Sequence, residues 1–187
     1  MIATVSALYV DPKGPYPAIV EDWWDAERNA KRYAGPRPVV AHPPCGPWGI
    51  MRHLCKLQDP ECGPRAVEQV REWGGVLEHP KHSTLWEHCG LPFPGELSDG
   101  YGFTVEVNQV AWGHCCFKPT WLYCVGLDAS DVRGGIRNGG TATHRVTSGP
   151  RGPTLPSASK KRRIHSPPAF AEWLVSLAAM VPQRRAA

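Results

Sequence analysis

The segment "VVAHPPCGPWG" (39–49) sets a thiol, Cys45, between prolines and glycines directly after a short β-type run. The stiff chain there holds a side chain out at the end of a strand. A thiol so placed suits covalent catalysis, in which a nucleophile divides one hard step into easier ones. A second strand-like run continues into Glu78, His79 and Pro80, and a third is preceded by Trp112-Gly113-His114 and by Lys118-Pro119-Thr120. In open α/β sheets, sites lie in the crevice beyond the carboxyl ends of the strands. Thiol, carboxyl group and cation would therefore converge if the strand order brings these ends together.

The elements that must position these groups are legible in outline. "TVSALYV" (4–10) reads as a buried strand, stopped by the turn-forming "DPKGPYP". "VEDWWDAERNAKRYAG" (20–35) has acids early, bases late and Gly35 as a stop, which predicts a helix, and "PVVA" predicts the next strand. The expectation is a βαβ opening. Ala66, Val67, Val70 and Trp73 share one helical face, with Pro64 in the first turn and Gly74-Gly75 at the end; "VLE" follows as a strand. Segment 81–102 is turn-rich, "FTVEVNQVAW" (103–112) alternates like a strand, and "TWLYCVGL" (120–127) is a compact apolar strand. Strands and helices alternating over the first 126 residues predict an α/β sheet with parallel character.

Three parts are expected: an α/β catalytic-like domain (1–130), a basic Gly/Pro/Ser-rich loop or linker (131–165), and a C-terminal helix that packs back on the core (166–187). Ser166 would cap that helix, Pro167-Pro168 would begin it, and Phe170, Trp173, Leu174 and Leu177 would form its apolar face. No internal repeat is present.

A chain of 187 residues with a 42% hydrophobic share can bury a real core, and its 20 prolines and 19 glycines predict many rigid turns. No apolar leader and no apolar run near membrane length occur, so the expected place is the cytoplasm. The seven cysteines lack the regular spacing of a disulfide framework and are expected to be reduced. The formal charge of +4 is concentrated. Between Val132 and His165 stand Arg133, Arg137, Arg145, Arg151, Lys160, Lys161, Arg162 and Arg163, without one acid. A polyanion is the natural partner; a solvated basic tail is the plainer reading.

Taken in order, these motifs resemble the DNA cytosine methyltransferases of the carbon-5 class, most closely the compact versions encoded by bacteriophages. The resemblance rests on Pro43-Pro44-Cys45, on Glu78-His79-Pro80, and on "NQVAWGHCCFKPTWLYCVGL" with Gln109, Trp112, Gly113, His114, Lys118, Thr120 and Trp121 in step. It covers about residues 38–127. It implies a truncated Rossmann-like, methyltransferase-type sheet with helices on its faces. It also implies a base-modifying enzyme on DNA, in the host cytoplasm if phage-encoded.

In the chemistry so implied, a thiolate adds to carbon 6 of cytosine while a carboxylic acid holds ring nitrogen 3, and carbon 5 becomes reactive. Cys45 is then the nucleophile, Glu78 the acid partner with a pKa raised for that role, and Lys118 the third catalytic candidate; Lys118 or His114 would favour the thiolate. Pro44, Trp48, His79, His114, Gln109 and Thr120 are the candidate substrate-binding residues, with Trp48 or Trp112 stacking on the base. The base must be flipped out of a duplex or offered on a single strand. Arg133, Arg137, Lys160, Lys161, Arg162 and Arg163 would grip phosphates. S-adenosylmethionine is the implied methyl donor, but the family's Phe-x-Gly-x-Gly loop is absent and "YVDPKGPYP" stands in its place.

Plainer readings stay open beside these. Cys45 would be an inert thiol, Glu78 an ion-pair partner, His79 a hydrogen-bonded supporting residue and Lys118 a solvated lysine. Cys and His are dense at His53, Cys55, Cys62, His82, His88, Cys89, His114, Cys115 and Cys116, yet no paired Cys-x-x-Cys occurs, so structural zinc is not expected. The signature of a zinc-dependent deaminase is also absent. The rival function is a non-catalytic DNA-binding protein that keeps a degenerate methyltransferase-like fold. Nothing in the sequence sets an oligomeric state.

Overall fold

Val5, Ala7 and Leu8 are wholly buried in strand β1 (Ala3–Leu8), which lies inside a sheet of six strands. The structure is a computed structural model and describes residues 3–55, 59–146 and 155–182. The other strands are β2 (Val20–Trp24), β3 (Val39–Ala41), β4 (Gly75–Pro80), β5 (Gly102–Asn108) and β6 (Pro119–Val125). Their spatial order is β2-β1-β3-β4-β6-β5. The first four are mutually parallel, whereas β6 runs antiparallel to both neighbours. The protein is thus α/β with a mixed sheet. The parallel character expected from the alternation holds for one side of it.

The helix expected over 20–35 is not formed. Val20 to Trp24 are the edge strand β2, and only a 3-10 turn, Ala30–Arg32, follows. Pairing with β1 wins over the helical charge pattern because Val20 is buried there and Asp22 accepts a 2.6 Å hydrogen bond from the fully buried Ser6 hydroxyl. Arg28 then closes back on Asp22 at 2.9 Å and lies over the Trp24 ring. Acids and bases that suggested a helix macrodipole serve a strand end instead. The connection from β1 to β2 holds a 3-10 turn, Tyr16–Ala18, so the opening is not βαβ.

Helix α1 (Cys62–Trp73) and the short α2 (Leu85–Cys89) cover one face of the sheet, burying Ala66, Val67, Val70, Leu85 and Trp86 against Leu8, Val39, Ala41, Leu77 and Tyr123. Helix α5 (Pro168–Ala178) covers the other, with Phe170, Leu174 and Leu177 against Val5, Ala7, Val40, Val76 and Leu122. Each fully buried Val, Leu or Phe among these contributes about 1.5–3 kcal/mol. Period-two alternation along the strands assigns each residue its layer: Val76 faces α5 and Leu77 faces α1. Pro167 is the N-cap of α5 and no side chain caps it, so Ser166 stands one residue outside the expected role.

The basic segment is partly built. It contains most of helix α3 (Ala129–Gly134) and all of helix α4 (Lys160–Ile164), with a bridge between Arg145 and Ser157. Val132 is fully buried in the α5-side core. Arg151 lies outside the described residues.

Candidate active site

The chain passes from β1 to β2 on one side and then crosses to β3 on the other, so the sheet has its switch point between the ends of β1 and β3. Chain ends diverge there and leave the crevice in which α/β proteins bind ligands. β3 runs out of the sheet into His42-Pro43-Pro44-Cys45 beside that crevice, and His42 still donates its backbone N–H to Leu8 at 3.0 Å. The carbonyl of Cys45 then accepts from Trp48 at 3.2 Å and from Gly49 at 2.7 Å, which folds the thiol's segment into a tight turn. The Trp48 carbonyl is in turn held by the Thr84 amide at 2.9 Å, just ahead of α2.

Glu78 comes from the neighbouring strand. In the β3–β4 register Ala41 pairs with Leu77, so the next residues, His42 and Glu78, stand side by side on the α5 face. His42 Nδ1 donates to Glu78 Oε2 at 3.1 Å, and the Tyr16 hydroxyl donates to His42 Nε2. On the far side Gln109 Nε2 donates to Glu78 Oε1 at 2.7 Å and reaches the Thr120 hydroxyl at 3.1 Å. Thr120 donates to the Lys118 carbonyl at 3.0 Å. Tyr16, His42, Glu78, Gln109 and Thr120 thus form one network across the ends of β3, β4 and β6 and the chain after β5.

Charge in this network is uneven. Burial pushes the Glu78 carboxyl up, but the His42 hydrogen bond and the Lys118 charge outweigh it and hold the group at about 2. In the free protein Glu78 is therefore ionised, contrary to the raised pKa its role as acid partner calls for. Burial lifts the Tyr16 phenol well above its usual range, so Tyr16 is a neutral donor. Although the Cys45 residue is exposed, neighbouring protein crowds its thiol enough for desolvation, seconded by the Glu78 charge, to raise its pKa; Lys118 acts in the opposite sense. The resting pair is a thiol and a carboxylate.

In comparisons with family models, curated proteins and solved structures, nothing matches this chain. Its site must be read from its own geometry.

The structure brings together Cys45, Glu78, Lys118, Gln109 and Thr120, and separates others. Pro44 lies in the Cys45 turn. His79 projects to the opposite face from Glu78, fully buried against Trp86. Burial lowers its pKa to about 4; the nearby Pro44 carbonyl favours the charged ring, yet neither ring nitrogen makes a hydrogen bond of normal geometry. Trp48 packs against His88 on the α1–α2 side, turned from Glu78. Trp112 is core: its ring is stacked on Trp173 at 4.7 Å and meets Phe170 edge-on. His114 is buried beside Cys115 and Cys116. Lys160, Lys161 and Arg162 are exposed, and Arg163 is half-buried. Arg133 is exposed on α3.

Two clefts are lined by neither Cys45 nor Glu78. One, of about 230 Å³, lies between Asn108, Ala111 and the stretch Ile136–Gly139 with Arg137; the other, of about 460 Å³, lies by Trp23, Asp25, Glu27 and Arg28. The thiol and carboxylate carry the site, because a nucleophile and a buried charge meet there and neither hollow is lined by a thiol.

Sequence reasoning assigned no role to His42 or Tyr16. The signal for His42 was available: aligning "VVAH" with "GVLE" as adjacent parallel strands sets the two final residues together. Tyr16 has no comparable signal, since a 3-10 turn inside a proline-rich loop brings it back. It lies in the core that covers β1 and β3, only 3% exposed. A glycine cradle for S-adenosylmethionine would need the backbone after β1 to be bare and open. Prolines and the returning Tyr16 ring occupy that stretch, so these residues do not fit the group.

Proposed function

We propose that the protein modifies a pyrimidine base in DNA, acting at carbon 5 of cytosine through a covalent Cys45 adduct. One observation carries the reading: Cys45, just past the end of β3, and Glu78, near the end of the adjacent parallel strand β4, come close enough that the Glu78 and Lys118 charges act on the thiol. The sheet is then a truncated methyltransferase-type sheet, four parallel strands followed by the reversed β6 and, at the edge, β5.

The resting thiol and carboxylate define the first step. An entering base strips further water from Glu78, which favours its neutral form. The Cys45 proton passes to the Glu78 carboxylate, the thiolate sulfur bonds to carbon 6, and the Glu78 proton goes to ring nitrogen 3 as the ring's carbon 5–carbon 6 double bond becomes an enamine. His42 and Gln109 hold the carboxylate for this transfer, and Tyr16 holds His42. Carbon 5 then bonds to the electrophilic carbon of a donor whose leaving group departs with the bonding electrons; return of the nitrogen 3 proton to Glu78 and loss of the carbon 5 proton to a base, with expulsion of the sulfur as thiolate, restore the aromatic base. The exposed cations of α3 and α4 supply phosphate contacts.

The test is nucleoside mass spectrometry of DNA from cells that express the protein or its Cys45→Ala variant. A mass shift on deoxycytidine that requires Cys45 is the expected result. The second reading, DNA binding without chemistry, is favoured by the Tyr16 ring where a cofactor cradle would lie. Oligonucleotides carrying 5-fluorocytosine separate the two, because trapping of a covalent complex through Cys45 is expected only of the enzyme.

A further inference from the structure

From the geometry we infer a metal site at His114, Cys115 and Cys116, which binds a thiophilic divalent ion such as zinc and leaves one coordination position open. The three ligand-bearing atoms all lie within 4.8 Å of one another. The two sulfurs are 3.8 Å apart. Two sulfurs held at about 2.3 Å from a single tetrahedral ion are separated by about 3.8 Å, so the thiols already span a tetrahedral edge.

The imidazole supplies an independent observation. His114 is 3% exposed, and its Nε2 is buried without a hydrogen bond of normal geometry. A ligating histidine places its other ring nitrogen on a backbone carbonyl or carboxylate, which fixes its tautomer. Nδ1 is held by the Cys116 backbone, 3.0 Å from both its carbonyl and its amide, which leaves Nε2 as the ring nitrogen available to an ion. A sequence without Cys-x-x-Cys spacing conceals this arrangement, because consecutive cysteines and their preceding histidine converge only through the turn between β5 and β6.

The place of the site indicates its use. The Cys115 carbonyl accepts from the amides of Thr143 and His144, both at 2.9 Å, so an ion at these thiols braces the root of the basic segment. Three protein ligands leave a fourth position for water or an incoming donor atom. The inference is independent of the Cys45 chemistry.

The experiment is cobalt(II) titration of the reduced, metal-free full-length chain, with elemental analysis of the protein as isolated. Stoichiometric cobalt with a sulfur-to-metal charge-transfer band is expected, lost in Cys115→Ser and Cys116→Ser and retained in Cys89→Ser. Cys115 is only half-buried, so that variant tests the site even where loss of the buried Cys116 thiol unfolds the chain. Absence of stoichiometric cobalt from the native protein would overturn the inference. So would a charge-transfer band that survives in Cys115→Ser with its fold verified by circular dichroism.

Discussion

Gln109 and Glu78 are joined at 2.7 Å although β6 lies between the strands that carry them into place. The partner fixes the amide's orientation: Nε2 must face a carboxylate, which leaves Oε1 buried and without a donor among the described residues. An acceptor kept unpaired beside an anion suits a ligand that brings its own N–H, such as the amino group of cytosine in the proposed reaction.

The bond itself should be measurable. Replacing Gln109 by Leu removes a hydrogen bond to a buried charge, which costs about 2 kcal/mol, and lowers Tm by roughly 4–8 °C. In a Glu78→Gln background the same change should cost distinctly less. Differential scanning calorimetry on the double-mutant cycle checks this; equal costs in both backgrounds would mean that the pair is not coupled.

Glu78 also predicts how stability responds to acid. Its pKa is depressed from 4.5 to about 2, so its contribution is complete above about pH 4.5 and disappears as pH falls through about 2. That difference amounts to about 3 kcal/mol. Asp22 and Asp99, also depressed, act in the same direction but are common to wild type and variant. Urea unfolding from pH 5 to pH 2 should therefore show the wild type losing stability more steeply than Glu78→Gln. Parallel profiles would contradict an ionised, hydrogen-bonded carboxylate.

At Gly75 the chain passes close against the backbone of β3. The glycine has φ +117°, and an added Cβ would meet the Val39 carbonyl oxygen at 1.9 Å, across the strand pair that carries Cys45 and Glu78. Neither backbone can move without breaking the ladder. Gly75→Ala should cost at least about 3 kcal/mol and lower Tm by roughly 6–12 °C, or prevent soluble expression. A variant with wild-type Tm would show that the β3–β4 register is different.

These elements show what can be read from residue order. Cys45 and Glu78 were legible because proline-rich strand ends are local features, and α1 because its apolar period and terminal glycines are local too. β2 was not legible: charges and aromatic residues at 20–35 satisfy a helix pattern, and only Ser6, sixteen residues earlier in sequence, turns Asp22 into a strand partner. The ionisation of Glu78 was likewise hidden, since it depends on His42, Lys118 and Gln109 arriving from other segments. The run "FTVEVNQVAW" reads as one strand, but the Asn108 side chain accepts from Val110 N–H and ends it at the point where Gln109 must turn inward.

DNA binding gives the last prediction, and salt is its measure. Lys160 and Lys161 are exposed at the start of α4, whose N-cap is the Ser159 side chain, so their replacement leaves the core untouched. If both contact phosphates, Lys160→Gln with Lys161→Gln should reduce the slope of log K against log salt by about 1.8 on duplex DNA, or about 1.4 on a single strand. Affinity should fall for all sequences alike, because phosphate contacts position a protein without reading bases. Fluorescence anisotropy across a salt series distinguishes this from a solvated basic surface, for which the slope would be the same in wild type and variant. Loss of product in cells together with an unchanged Cys45 adduct on a short single-stranded substrate would place these lysines in grip rather than in chemistry.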